Sequence, residues 1–205
     1  MFTQNRTFIL ILFFLSLFSR EIVSETLEEI VVLGDWRQVS ADQEDSSVVL
    51  LDEQTIKSQS MKHFEQLSYL VPNLNFAASD SRARYFQIRG IGERSGYQGT
   101  PNSSVGFLID DIDYSGQGGI ATTFDVEQIE IHRGPQGSRI GANALAGLIY
   151  IRTKEPTDMF EANSEITLGS YGIKSTGLAF GGPFKENENI SYRLAFRKDK
   201  EDGFR

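Results

Sequence analysis

Residues Val126 to Pro156 read VEQIEIHRGPQGSRIGANALAGLIYIRTKEP, two alternating apolar runs joined by a segment dense in small residues. The spacing predicts a strand over 126–132 with Ile129 and Ile131 on one face and Glu130 and His132 on the other, the pattern of a half-buried strand. Arg133, Gly134, Pro135, Gln136 and Gly137 then stop it. Proline fixes φ near −65° and has no N–H for a ladder, and the flanking glycines permit backbone angles closed to other residues. Gly141, Ala142, Ala144, Ala146 and Gly147 offer almost no side-chain volume. Such a backbone can lie against a neighbouring surface before a second strand resumes over 148–153.

Upstream, Val48 to Leu51 is a short strand, and Asp52 can cap a helical turn from Glu53 to Ser58. Ser60 is a candidate N-cap for a helix near 61–71, in which Phe64, Leu67 and Leu70 or Val71 repeat at helical spacing until Pro72 ends it. His63 sits among charged neighbours there, as a solvated side chain would. A strand is expected over 85–89 and another over 105–110, with Asp111 tolerating a left-handed turn. Two stretches, Gly90 to Ser104 and Tyr114 to Thr123, read as irregular loops. Their Tyr97, Gln98, Asn102, Tyr114 and Gln117 are candidate ligand contacts, against the alternative of loops that touch nothing.

Downstream of Pro156 the period becomes two over three segments. Ala162 to Leu168, Thr176 to Phe180 and Ile190 to Phe196 carry apolar residues at alternate positions, with breaks at Gly169 to Gly172 and Gly181 to Asn189. Transmembrane β-strands show this dyad, apolar outward and polar inward, so Arg193 and Arg197 would face a watery lumen. A soluble sandwich is the competing assignment. A bilayer-spanning sheet must close, and closure takes about eight strands at the least, so three do not suffice.

The chain has 205 residues, 40% hydrophobic and 23% charged, with 28 acidic against 20 basic residues and a net charge of −8. No basic block offers a phosphate-binding surface, which argues against nucleic acid. Cysteine is absent, so disulfides, zinc ribbons and thiol nucleophiles are excluded. The 134–141 segment lacks the Gly-Lys-Ser/Thr of a phosphate loop. An EF-hand register from Asp111 puts Thr122 where a bidentate glutamate is required. No nucleophile elbow and no histidine-based metal triad is present, so neither catalysis nor a metal or cofactor site is expected. Residues 1–24 have a lone Arg6 before an apolar core of about eleven residues from Phe8 to Phe18, too short for the roughly 20 of a spanning helix. A removable export signal is expected, cleaved after Ser24 in preference to Ser19, with an uncleaved anchor as the alternative.

The ordered run RGPQG, then Gly141, Asn143-Ala144, Ala146-Gly147 and Thr153-Lys154, with Arg89-Gly90 closing an F-x-IRG segment, resembles the plug domain of TonB-dependent outer-membrane receptors. It departs from the family's pattern at Ile140, Ala146 and Tyr150, none of which alters the backbone logic. The resemblance covers Leu27 to Arg205. It implies an α+β chain: a signal peptide over 1–24, a TonB box and tether over 25–47, a mixed α/β plug over 48–156, and over 157–205 the first strands of a 22-stranded barrel. Glu29, Ile30, Val31 and Val32 would then be the box, captured by an inner-membrane energy transducer through strand addition. The implied partners are that transducer, outer-membrane lipid and a small ligand, siderophore-like or another scarce nutrient. A secreted or periplasmic binding module is the alternative, and a signalling receptor is disfavoured because no extra domain fits between signal and box.

Overall fold

The computed structural model describes residues 31–32, 39–40, 47–59, 64–78, 83–95, 102–117, 121–184 and 187–202. The chain divides into Met1–Ile30 and Val31–Arg205, and every described residue belongs to the second unit. In chain order the elements are β1 (Val31–Val32), β2 (Val39–Ser40), β3 (Val48–Asp52), α1 (Glu53–Ser58), a 3₁₀ turn (Phe64–Gln66), α2 (Leu67–Leu70), β4 (Leu74–Ala77) and β5 (Tyr85–Ile88). They continue as β6 (Val105–Ile109), β7 (Ile112–Asp113), β8 (Val126–Arg133), α3 (Gly137–Ile140), β9 (Gly147–Thr153), β10 (Glu161–Leu168), β11 (Lys174–Phe184) and β12 (Asn187–Lys200).

The central sheet runs β3-β8-β9-β6-β7, antiparallel except for the β6–β9 pair. One face supplies Leu51, Ile129, Ile131, Ile149, Ile151, Val105 and Phe107 to the main core, closed by Ile56, Phe64, Leu67, Phe86 and Ile88. Phe107 anchors it, edge-on to Phe64 at 5.6 Å and stacked on Phe86 at 5.7 Å. Each such side chain contributes about 1.5–3 kcal/mol by leaving water.

The other face is also covered, which corrects the expectation of a half-buried β8. Glu130 and His132 are 0% and 2% exposed. Their face continues through Leu108, Leu148 and Tyr150, which pack with Ala144 and Ile140 from the bend after β8. Gly106 makes room for that bend: a Cβ there would lie 2.5 Å from Ile140 Cδ1 and 3.0 Å from Ala144 Cβ. The buried polar residues are tied together, Gln128 Nε2 donating to Glu130 Oε1 at 3.0 Å and Glu130 Oε2 meeting His132 Nε2 at 2.8 Å.

Local differences have local causes. The helix expected near 61–71 is, in its described part, a 3₁₀ turn and the single α-turn α2, because Pro72 forces Val71 to the extended φ −109°, ψ 110°; Ser60 to His63 lie outside the described residues. β4 was not anticipated; its alternation is too short to stand out before it pairs with β5. A helical turn, α3, replaces part of the bend, and Gly141 leaves it at φ 72°. Asp52 caps α1 as expected, accepting from Thr55 N at 2.9 Å. Asp110 and Asp111 are both left-handed, φ 47° and 68°, in the tight turn between β6 and β7.

β10-β11-β12 form a separate antiparallel sheet. β11 runs on through Gly181, Gly182 and Pro183 to Phe184, where a break was expected; the register shift between Pro183 and Phe184 accommodates a residue that cannot donate to the ladder.

Candidate functional site

Backbone hydrogen bonds hold the RGPQG turn to the returning bend: Gly134 N donates to Ala146 O at 3.0 Å and Gln136 N to Ala144 O at 2.9 Å. Pro135 stands exposed between them. Ala144 and Ala146 are buried, and a Cβ on Gly147 would strike the His132 carbonyl and Ile88. Ala144, Ala146 and Gly147 therefore serve close approach, whereas Ala142 is exposed and Gly141 has open surroundings and a positive φ as its role. Asn143 ties this bend to two other segments, accepting from Ser103 N at 3.1 Å and donating to Asp113 Oδ2 at 2.8 Å. Arg89, exposed at φ 53°, precedes Gly90 in the turn after β5, and its N–H reaches Asn73 O at 2.9 Å. Arg133 is half-buried, and its Nε has no hydrogen-bond partner among the described residues.

Of the candidate ligand contacts, Asn102 and Gln117 are exposed, whereas Tyr114 packs against the main core and donates its N–H to Phe107 O at 2.8 Å. Tyr97 and Gln98 lie outside the described residues. So do Glu29 and Ile30. Val31 and Val32 are extended and pair with Ser40 and Val39, and Val32 is fully buried.

The geometry also joins the central sheet to the β10–β12 sheet at residues that sequence reasoning missed. Phe124 fills the space above Gly177, where a Cβ would come within 2.5 Å of its ring, and Arg197 lies over the same ring at 5.7 Å. Asp125, left-handed at φ 60°, takes a two-pronged grip from Arg193: Nε to Oδ2 at 2.8 Å and Nη2 to Oδ1 at 2.6 Å, with both side chains under 10% exposed. Glu161 backs Arg193 at 3.8 Å, and Glu165 and Asp199 flank Arg197 at 3.7 and 3.0 Å. The inward arginines were legible from the period of two; their partner on a distant loop was not. Glu93 is a further buried residue without a sequence signal, its carboxylate accepting from Ser104 N and Oγ at 2.9 and 2.7 Å and fastening the end of the 90–104 loop.

A central sheet with a small-residue bend, docked on a three-stranded antiparallel sheet, is what the comparisons match. The family model for the TonB-dependent receptor plug domain matches residues 40–148. The chain belongs to the TonB-dependent receptors. Relatives include the ferric enterobactin receptor PirA of Pseudomonas aeruginosa, 25% identical over 86% of this chain and 26% of that protein. Another is the vitamin B12 transporter of Vibrio vulnificus, 30% identical over 42% of this chain and 14% of its own length. Among solved structures, the ferripyoverdine receptor of the Pseudomonas aeruginosa outer membrane superposes over 84% of this chain and 22% of its own, with TM-score 0.68 and 18% identity. The receptor chain described here thus spans about a quarter or less of the relatives it matches. Its family is one of receptors and transporters, not enzymes, and its fold is a plug followed by antiparallel strands that do not close a barrel.

Proposed function

We propose that this chain is the N-terminal part of an outer-membrane receptor that imports a scarce iron chelate of the siderophore class, driven by the TonB transducer. The observation that carries the reading is the two-faced sheet following the plug. Register places Ile166, Leu168, Leu178, Phe180, Leu194 and Phe196 on one face, while Ser175, Gly177, Ala179, Arg193 and Arg197 face the plug. Ile166, Leu168 and Phe196 are more than half exposed. Apolar outside and polar toward a plug is the arrangement of a barrel wall in lipid, where unpaired sheet edges cannot persist and further strands must complete the ring. Relatives named for ferric enterobactin and ferric yersiniabactin support an iron chelate, and the vitamin B12 transporter makes cobalamin the competing cargo.

Residues 1–24 serve as the export signal and Glu29 to Val32 as the TonB box. The extended backbone of Val31 and Val32 is the conformation that strand addition uses. Ligand engages Asn102 and Gln117 with Tyr97, Gln98 and Tyr114, shifting the population toward a plug whose box is available. The test is recovery of the receptor in the detergent-soluble outer-membrane fraction together with energised uptake of a radioactive ferric siderophore. Recovery in a detergent-free soluble fraction would establish the alternative, a secreted or periplasmic binding module; uptake of cobalamin but no iron would overturn the assigned cargo.

A further inference from the structure

The apolar band on the outer face of β10–β12 ends in a cluster of like charge. Leu168, Lys174 and Lys200 are cross-strand partners in one row, and Ile166, Thr176 and Lys198 make the next. Cross-strand partners share a face, as do residues two apart on one strand. Lys174, Lys198 and Lys200 therefore form a triangle on the face that carries Leu194 and Phe196, and all three are exposed. Lys174 and Lys200 stand directly opposite each other, an arrangement that is unfavourable between like charges unless an anion lies between them. Among the described residues none of the three has a carboxylate within ion-pair distance, whereas the arginines of the inner face are matched to Asp125, Glu161, Glu165 and Asp199. The same end of the sheet carries Tyr171, largely exposed in the 169–173 turn, an amphipathic ring of the kind that sits at a membrane–water boundary.

A basic triangle that makes no ion pair among the described residues, with Asp202 turned to Gly172 in the neighbouring turn, borders the apolar band and can meet both the acyl chains and the phosphates of one lipid. We propose that Lys174, Lys198 and Lys200 form a binding site for the phosphate headgroups of anionic membrane lipid, with the neighbouring Leu168, Ile166 and Phe196 against its acyl chains. The proposal rests on the reading of β10–β12 as membrane-spanning. Attraction of a lysine to an anionic lipid surface corresponds to roughly a fivefold gain in retention per residue and is weakened by salt.

The test uses the purified full-length receptor reconstituted into vesicles of phosphatidylcholine alone or mixed with phosphatidylglycerol, with the triple variants Lys174→Gln/Lys198→Gln/Lys200→Gln and Lys174→Arg/Lys198→Arg/Lys200→Arg. In flotation through detergent-free density gradients all three proteins should rise with both vesicle types. The thermal midpoint of wild type and of the arginine variant should be higher in the anionic vesicles. The glutamine variant should lose that shift, and the anionic lipid co-purifying with it should drop on the order of tenfold or more. Inorganic phosphate added to phosphatidylcholine vesicles should not reproduce the shift. An undiminished shift in the glutamine variant, or an equal one from free phosphate, overturns the lipid site while leaving the membrane reading standing. Wild type that floats with neither vesicle overturns both.

Discussion

Asp125 is constrained through both its backbone and its side chain. A non-glycine residue in the left-handed region is uncommon, and Asp and Asn tolerate it best. The surroundings hold it there: its carbonyl accepts Lys154 N at 3.1 Å while both carboxylate oxygens are gripped by Arg193. Removing one member of a buried, hydrogen-bonded ion pair strands the other. Asp125→Asn keeps the backbone preference and removes only the charge. It is expected to lower receptor stability by about 2–5 kcal/mol in denaturant unfolding, because Arg193 then stays buried without its two-pronged partner and with only the more distant, largely exposed Glu161 as counter-charge. A loss under about 0.5 kcal/mol, the size of an exposed pair, would show that water reaches the pair and screens it. His132 is a similar case on the central sheet. His132→Leu takes a hydrogen bond from a carboxylate with no exposed surface and is expected to cost about 1–3 kcal/mol by the same measurement.

At the scale of elements, α1 is a six-residue helix whose stability comes from its cap and from Ile56 in the core. The Asp52 carboxyl is held below its ordinary value by the Thr55 side-chain hydrogen bond first and the Thr55 N–H second. A depressed folded-state pKa contributes stability that is present above the unfolded pKa and lost as pH falls through the folded one. Asp52→Ala is therefore expected to cost about 1 kcal/mol at neutral pH, and the gap to wild type should close as pH drops below the usual carboxylate range. A gap that stays constant in acid would exclude the cap as its source. The contact between the sheets has its own signature. Gly177→Val drives a side chain into the Phe124 ring and should destabilise the receptor, whereas Gly177→Val with Phe124→Ala should recover much of that loss in a double-mutant cycle. Additive effects would show that the ring and the strand do not meet.

At the scale of the whole molecule, the plug is held against the β10–β12 sheet through Asp125 and Phe124. Under the proposed function, strand addition at Val31 depends on main-chain hydrogen bonds, so Val31→Pro should abolish energised uptake while Val31→Thr is mild. Whole-cell ligand binding and the amount of receptor in the membrane should survive the proline, since the β1–β2 pair is a sheet apart from the central one. Loss of the protein together with binding would assign residues 31–32 to plug folding and not to coupling. Val32, fully buried, makes the comparison demanding.

The amino-acid sequence by itself determined the elements whose signal is local. The alternation of β8 and β9, the RGPQG reversal, the Asp52 cap, the left-handed Asp111 and the inward arginines each follow from steric or hydrogen-bonding rules acting within a few residues. Helix ends and short strands were less legible: α2 is cut by Pro72, and β4 becomes a strand only through its pairing with β5. Tertiary structure alone decided which faces lie against something. Glu130 and His132 carry the polar side of a half-buried pattern, yet the face they occupy is covered, because the bend after β8 folds back onto Leu108, Leu148 and Tyr150. Asp125 finds Arg193 across 68 positions and Phe124 finds Gly177 across the gap between sheets. Such partners are chosen by closeness in space, which the spacing of residues along a chain does not encode.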